Sequence, residues 1–187
     1  MTTQIQIDGE IFQNAIKILK DLISFQTESG KSNLELIDYC ELRLKNSGAS
    51  SLKTFNNSKT QANLFSTIKG KNLNGTGIVL SGHTDVVPAV PDEWTSDPYL
   101  VREKNDKLYG RGTCDMKGFI ACTLAVAPLF ASSKLKRPIH FSYTFDEETG
   151  CLGAPLVLAD LKKRNLNFSA CIIGEPTNMK AITAHKG

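Results

Sequence analysis

The sequence predicts an α/β fold in which helices lie over a sheet. Three observations carry that reading. Helical and strand-like apolar periods alternate along the chain, 187 residues with 41% apolar composition suffice for one substantial core, and chemically versatile polar residues recur just after strand-like runs.

The first helix is expected from Glu10 to Phe25, because Phe12, Ala15, Ile16, Leu19, Leu22 and Ile23 recur with helical period and Asp8 can cap its start. Ser32 and Glu35 have the spacing of a capping box for a second helix, which carries Leu34, Ile37 and Leu44 to a stop near Gly48. Strands follow from Ser51 to Phe55 and from Asn63 to Ile68, and the apolar run from Gly77 to Leu80 ends abruptly in Ser81, Gly82 and His83. From Pro88 to Gly112 the chain is turn-rich and predicts a long loop. A third helix should begin near Met116, and Pro128 should end or kink it. Between Pro138 and Phe145, Ile139, Phe141, Tyr143 and Phe145 alternate with His140, Ser142 and Thr144, the pattern of a strand. A helix from Leu152 to Lys163 and a strand from Ser169 to Ile173 complete the alternation. There is no internal repeat.

Twenty-two basic and nineteen acidic residues give a formal charge of +3, too small an excess to point to nucleic acid. The basic clusters Lys134, Lys136, Arg137 and Lys162, Lys163, Arg164 fall at helix ends, where solvated positive charge is ordinary. The start, MTTQIQIDGE, does not lead from basic residues into an apolar run, and no apolar segment is long enough to span a bilayer, so a cytosolic setting without membrane contact is expected. The five cysteines form no CxxC pair and indicate neither a disulfide scaffold nor a thiolate zinc site. Cys122 and Cys171, in apolar segments, are expected as small core residues.

Ligands in open α/β sheets bind outside the carboxyl ends of the strands, which makes the polar residues there informative. His83 and Asp85 form a His-x-Asp pair in SGHTDVVP; a neutral imidazole can bind zinc while a carboxylate fixes its tautomer, although a solvated loop uses the same residues. Asp115 lies among the glycines of GRGTCDMKG, where a carboxylate can bridge two metal ions or cap a helix. Glu147 and Glu148 in TFDEETG suit a division of labour, one binding metal and the other moving protons, and suit equally an exposed acidic turn. Glu175 in IIGEPT follows an apolar strand and is a second candidate ligand. His140 reads as a structural histidine of its strand, His185 has no place at the crevice, and Cys114 has no histidine to serve as its base.

The segments SGHTDVVP, GRGTCDMKG, TFDEETG and IGEPT, in this order, resemble the co-catalytic zinc aminoacylase and carboxypeptidase family, and the likeness extends over nearly the whole chain. Within that family SGHTDVVP, GRGTCDMKG, SNLELIDY and AHKG are most similar to the members that deacetylate N2-acetyl-L-ornithine in arginine biosynthesis. The resemblance implies part of a zinc-peptidase-like catalytic domain, a mixed sheet flanked by helices. It implies that His83 and Glu175 hold one zinc, that Asp115 bridges to a second zinc held also by Glu148, that Glu147 is the general base and acid, and that Asp85 orients His83. Two zinc ions, with cobalt as a substitute, and a small N-acylated amino-acid substrate are the implied cofactors and partner.

Members of the family continue beyond the AHKG segment into a smaller lid, through which they form homodimers, and then return to the catalytic domain with a further histidine for the second zinc. Residues 1–180 are therefore expected to be the N-terminal part of the catalytic domain and 181–187 the start of the crossing, with the lid absent and the second metal position incomplete. A truncated N-acetylornithine hydrolase, another N-acyl amino-acid hydrolase or dipeptidase, and a non-catalytic metal-binding or interaction remnant are the three functions compatible with such a chain.

Overall fold

Strand pairing follows from which segments the chain can fold back locally and which need a crossover. The computed structural model describes residues 9–72 and 76–183. Helices α1 (Gly9–Ser24) and α2 (Leu34–Asn46) precede β1 (Ser50–Phe55), β2 (Ala62–Ile68) and β3 (Gly77–His83). A hairpin of β4 (Arg102–Lys104) and β5 (Lys107–Tyr109) follows, then α3 (Lys117–Ser132), β6 (Ile139–Thr144), α4 (Ala154–Lys163) and β7 (Phe168–Ile173). The main sheet has five strands in the order β1-β2-β6-β3-β7. β2 runs antiparallel to both β1 and β6, whereas β3 runs parallel to β6 and to β7. The sheet is thus mixed.

From β3 the chain passes through α3 to β6 on one side, and from β6 through α4 to β7 on the other side of β3. Right-handed crossovers in opposite directions place their helices on opposite faces. On one face Ile18, Leu22 and Ile23 of α1, Leu36, Ile37 and Leu44 of α2, and Ile120 and Leu124 of α3 enclose Leu64, Phe141 and Tyr143 of the sheet. On the other, Val157 and Leu161 of α4 pack on Phe65, with Leu52 and Phe168 alongside. The connections leaving the adjacent strands β3 and β6 diverge, which opens a crevice at their carboxyl ends.

Because β6 is covered on both faces, the alternation seen in its sequence separates two buried environments. Phe141 and Tyr143 enter the larger core, while His140, Ser142 and Thr144 are buried toward α4. His140 stacks on Phe65, meets Phe168 edge-on and shares a hydrogen bond with Thr67. It is a structural residue.

Several local expectations are corrected. The capping box at Ser32 and Glu35 does not form; Asn33 is the N-cap of α2, and its amide instead joins the Ala62 backbone and the Thr84 hydroxyl. Pro128, expected to end or kink the third helix, does not end it: α3 continues, packed on α1 and β6, to Ser132. The segment from Pro88 to Gly112 is not all loop: Asn105 and Asp106, both at positive φ, turn the β4–β5 hairpin. Cys122 and Cys171 are exposed rather than in the core: Cys171 lies on β7, an edge strand of the sheet among the described residues, and Cys122 is an exposed position of α3 between the buried Ala121 and Thr123. Asp8 and His185 lie outside the described residues.

No basic residue of α1 serves the carbonyls of its last turn. Lys117, fully buried at the start of α3, does so from a distance: its ammonium donates to the carbonyls of Leu22 at 3.0 Å and Phe25 at 2.7 Å. Lys117→Met keeps the volume and removes both bonds, so urea unfolding is expected to show a stability loss on the order of 2 kcal/mol. An unchanged midpoint would show that the ammonium is dispensable to the fold.

Candidate metal centre

His83 is the last residue of β3 rather than the first beyond it, and its side chain is only 2% exposed. Its Nδ1 lies 2.9 Å from the backbone carbonyl of Asp85, which can only accept, so Nδ1 carries the proton of the neutral ring. The lone pair of Nε2 then faces the crevice. Around it stand Asp115 Oδ1 at 3.1 Å, Glu175 Oε1 at 3.7 Å and Glu147 Oε2 at 3.9 Å.

The carboxylates arrive from three further turns. Asp115 precedes α3 in a turn that needs its glycines: Gly112 has φ +84°, and a Cβ on Gly118 would lie 2.3 Å from the Thr113 carbonyl. Glu147 and Glu148 follow β6 after Asp146, which is held at positive φ while its Oδ1 accepts from the Gly30 amide at 2.7 Å and from Gln61 Nε2 at 2.8 Å. Glu175 follows β7, where Gly174 donates to the Ser81 carbonyl and leaves the room that the Phe119 ring occupies.

Asp85 is buried beneath the site. The sequence reading has its carboxylate orienting His83, yet the shorter contact to the ring is made by its backbone, and the carboxylate Oδ1 is 3.5 Å from Nδ1. The carboxylate is used chiefly elsewhere. Oδ1 accepts from the Glu147 amide at 3.0 Å, and Oδ2 accepts from the Glu148 amide at 3.3 Å and from the Ser29 hydroxyl at 2.7 Å. Burial opposes its charge, but His83, Ser29 and the Glu147 amide hold the carboxyl below its ordinary range.

The crowding of like charges is legible in the titration of the groups. Burial disfavours a charged His83 ring, but Asp85 and Glu175 more than offset it and raise the ring to about 9. Burial, with Asp115 and Glu147 nearby and His83 opposing, pushes Glu175 up to about 7. Glu148 is raised by burial and then by Asp115. A cation at the centre relieves all of these repulsions at once.

One ligand atom each from His83, Asp115 and Glu175 lies within 4.8 Å of the others. Ligands of a tetrahedral ion with bonds of about 2.0 Å stand roughly 3.3 Å apart, close to the spacings around Nε2. The residues fit a divalent ion. Glu148 is outside this trio and exposed, and Glu147 stands at its rim. Cys114 is exposed beside Asp115, while Cys151, which the sequence did not single out, places Sγ 3.6 Å from Glu147 Oε1. Ser29, Gly30, Gln61 and Asp146 were likewise missed, since none lies at a ligand-like spacing and their roles depend on segments distant in sequence.

The signature of peptidase family M20/M25/M40 matches residues 79–185, the stretch that holds all four turns of the centre. The chain belongs to this family. Acetylornithine deacetylase of Yersinia pseudotuberculosis is 44% identical over 128 residues, covering 67% of this chain and 32% of that protein. The same enzyme of Salmonella typhimurium is 42% identical over 125 residues, with 67% and 32% covered. The chain thus spans about a third of the length of these curated relatives.

In fold the chain is similar to an M20 metallo-carboxypeptidase, Sso-CP2 of Sulfolobus solfataricus, with a TM-score of 0.72 at 22% identity, covering 90% of this chain and 37% of that one. Human carnosine dipeptidase 1 gives 0.70 at 22%, covering 88% and 40%. The mixed sheet flanked by helices is accordingly a partial M20 domain. No helix among the described residues is long and apolar enough to cross a membrane.

Metal binding at this centre is expected to displace protons. The His83 ring holds one below about 9 and Glu175 holds one below about 7, and both must leave before these groups can ligate. Raising the pH removes them in advance, so affinity should climb from pH 6 toward pH 9, roughly tenfold per pH unit for each proton displaced. Calorimetric titration with Zn2+ in two buffers of different ionisation enthalpy measures both quantities. An affinity independent of pH would exclude these groups as ligands.

Proposed function

We propose that this chain carries the metal-binding and proton-transfer residues of an amide hydrolase that converts N2-acetyl-L-ornithine and water to L-ornithine and acetate, in the cytosol and in arginine biosynthesis. The observation that carries the chemistry is the buried His83 Nε2 facing carboxylates from three separate segments. The substrate rests on the relatives named acetylornithine deacetylase. In this reading His83, Glu175 and Asp115 would hold one zinc, with cobalt as a substitute, and Asp115 and Glu148 would serve a second. When bound, the metal polarises the acyl oxygen and lowers the pKa of the attacking water.

The protein's own groups do the rest. Glu147 has a side chain 38% exposed and its Oε2 3.9 Å from His83 Nε2, so it borders both the centre and the open crevice. Its backbone is fastened to Asp85 while its carboxylate is left to move a proton. Glu147 takes a proton from the attacking water as the new C–O bond forms. It then delivers that proton to the nitrogen as the C–N bond breaks, releasing a neutral amine. Asp85 holds the backbone of both glutamates in register with His83 through this cycle.

Ornithine release from N-acetylornithine by the zinc- or cobalt-loaded protein tests the reading. Glu147→Gln is expected to lower kcat by about 10²–10⁴-fold while zinc affinity stays near that of the unaltered protein. Turnover that survives the substitution would remove Glu147 from the mechanism. Preference for other acylated amino acids or for dipeptides would keep the bond chemistry and overturn the substrate.

A further inference from the structure

The geometry points to Ser29 as a positioning residue of the metal centre, acting through Asp85 on the two glutamates that follow β6. The inference rests on the reading of His83, Asp115 and Glu175 as a metal site, and it concerns a loop outside all four motifs. That loop joins α1 to α2.

Asp85 receives four contacts. The His83 ring and the Glu147 amide approach Oδ1, and the Glu148 amide and the Ser29 hydroxyl approach Oδ2. Of the two donors to Oδ2, Ser29 is much the nearer, at 2.7 Å against 3.3 Å. A hydroxyl donating to a buried ionised carboxylate makes a charge-assisted bond, about twice as strong as a neutral one. It fixes the rotation of the carboxylate. Rotation matters here because the same two oxygens hold the backbone amides of Glu147 and Glu148, and so set where both side chains begin.

The loop does not depend on that hydroxyl for its own place. The Ser29 amide donates to the Val86 carbonyl at 3.1 Å, and the Val86 amide donates to the Thr27 carbonyl at 3.0 Å. Glu28 and Val86 form a parallel bridge, and the Gly30 amide is bound to Asp146. Thr27 donates its hydroxyl to the backbone carbonyl of Thr84. With the backbone pinned on both sides of residue 29, Ser29→Ala removes the 2.7 Å contact to Asp85 and, besides it, only a marginal 3.5 Å approach to the Val86 carbonyl, to which the Ser29 amide still donates. Thr27→Ala removes a hydroxyl contact from the same loop without touching a carboxylate.

Removing an outer hydrogen-bond partner of a metal ligand changes metal affinity or activity by about 10–100-fold, and Ser29, one bond further out and acting on His83 and Glu148 through Asp85, belongs at the low end of that range. Ser29→Ala is therefore expected to weaken Zn2+ binding roughly tenfold and to lower kcat by a similar factor with KM unchanged, in a protein whose circular dichroism is unaltered. Ser29→Thr, which keeps the hydroxyl, should restore both. Thr27→Ala should melt earlier yet bind Zn2+ as the unaltered protein does.

Wild-type Zn2+ affinity in Ser29→Ala, or an equal loss in Thr27→Ala, would overturn the assignment. Because affinity is read without substrate, weaker binding in Ser29→Ala alone supports the assignment even in a protein that leaves N-acetylornithine intact, an outcome that sinks only the proposed reaction. If the unaltered protein and His83→Ala bind Zn2+ equally poorly, both readings fall.

Discussion

An imidazole lone pair and three carboxylates crowded around one point repel one another until a positive charge, a proton or a metal ion, joins them. Around His83 Nε2 the fold accepts that repulsion, and much of the surrounding structure serves to keep the groups from moving apart. β3 ends on the histidine, a glycine-rich turn holds Asp115, and Gly174 seats β7 against Phe119 so that Glu175 comes inward. Asp85 is the junction. Buried and ionised, it ties the turn after β6 to the end of β3 and to the α1–α2 loop.

The position of this centre follows from strand order. Only where neighbouring strands send their connections to opposite faces does a sheet leave a gap at its carboxyl edge, and β3 and β6 form that pair. His83 and the two glutamates stand at its two sides. The two cores, one beneath α1, α2 and α3 and a smaller one beneath α4, fix β6 from both faces and thereby the turn that carries Glu147 and Glu148.

The periodicity of the chain revealed its helices and main strands because apolar spacing is a local property. The residues His83, Asp115 and Glu175 were also legible, since each stands at a strand end or in a glycine-rich turn, and the structure brings the three together. What was not legible depends on partners far along the chain. Asn33 displaced Ser32 as the cap of α2 because β2 offered it a backbone pair, and Pro128 stayed within α3 because packing outweighed one missing donor. Cys122 and Cys171 looked like core residues from composition, but burial depends on which element lies opposite. Ser29 and Asp146 carried no signal, for a hydroxyl in a loop and an acid before two glutamates gain meaning only when the loop folds over β3.

The separation of the ligands along the chain has a consequence for folding. His83, Asp115 and Glu175 sit in three segments divided by a hairpin and two crossover helices, so a disordered chain presents each as an isolated and feeble donor. An ion held by all three therefore lends its binding free energy to the native state alone. β3 and β7 must pair in register, and the turn before α3 must close beside them, before the trio exists, so an ion bound there would find its full set of donors only on an assembled sheet.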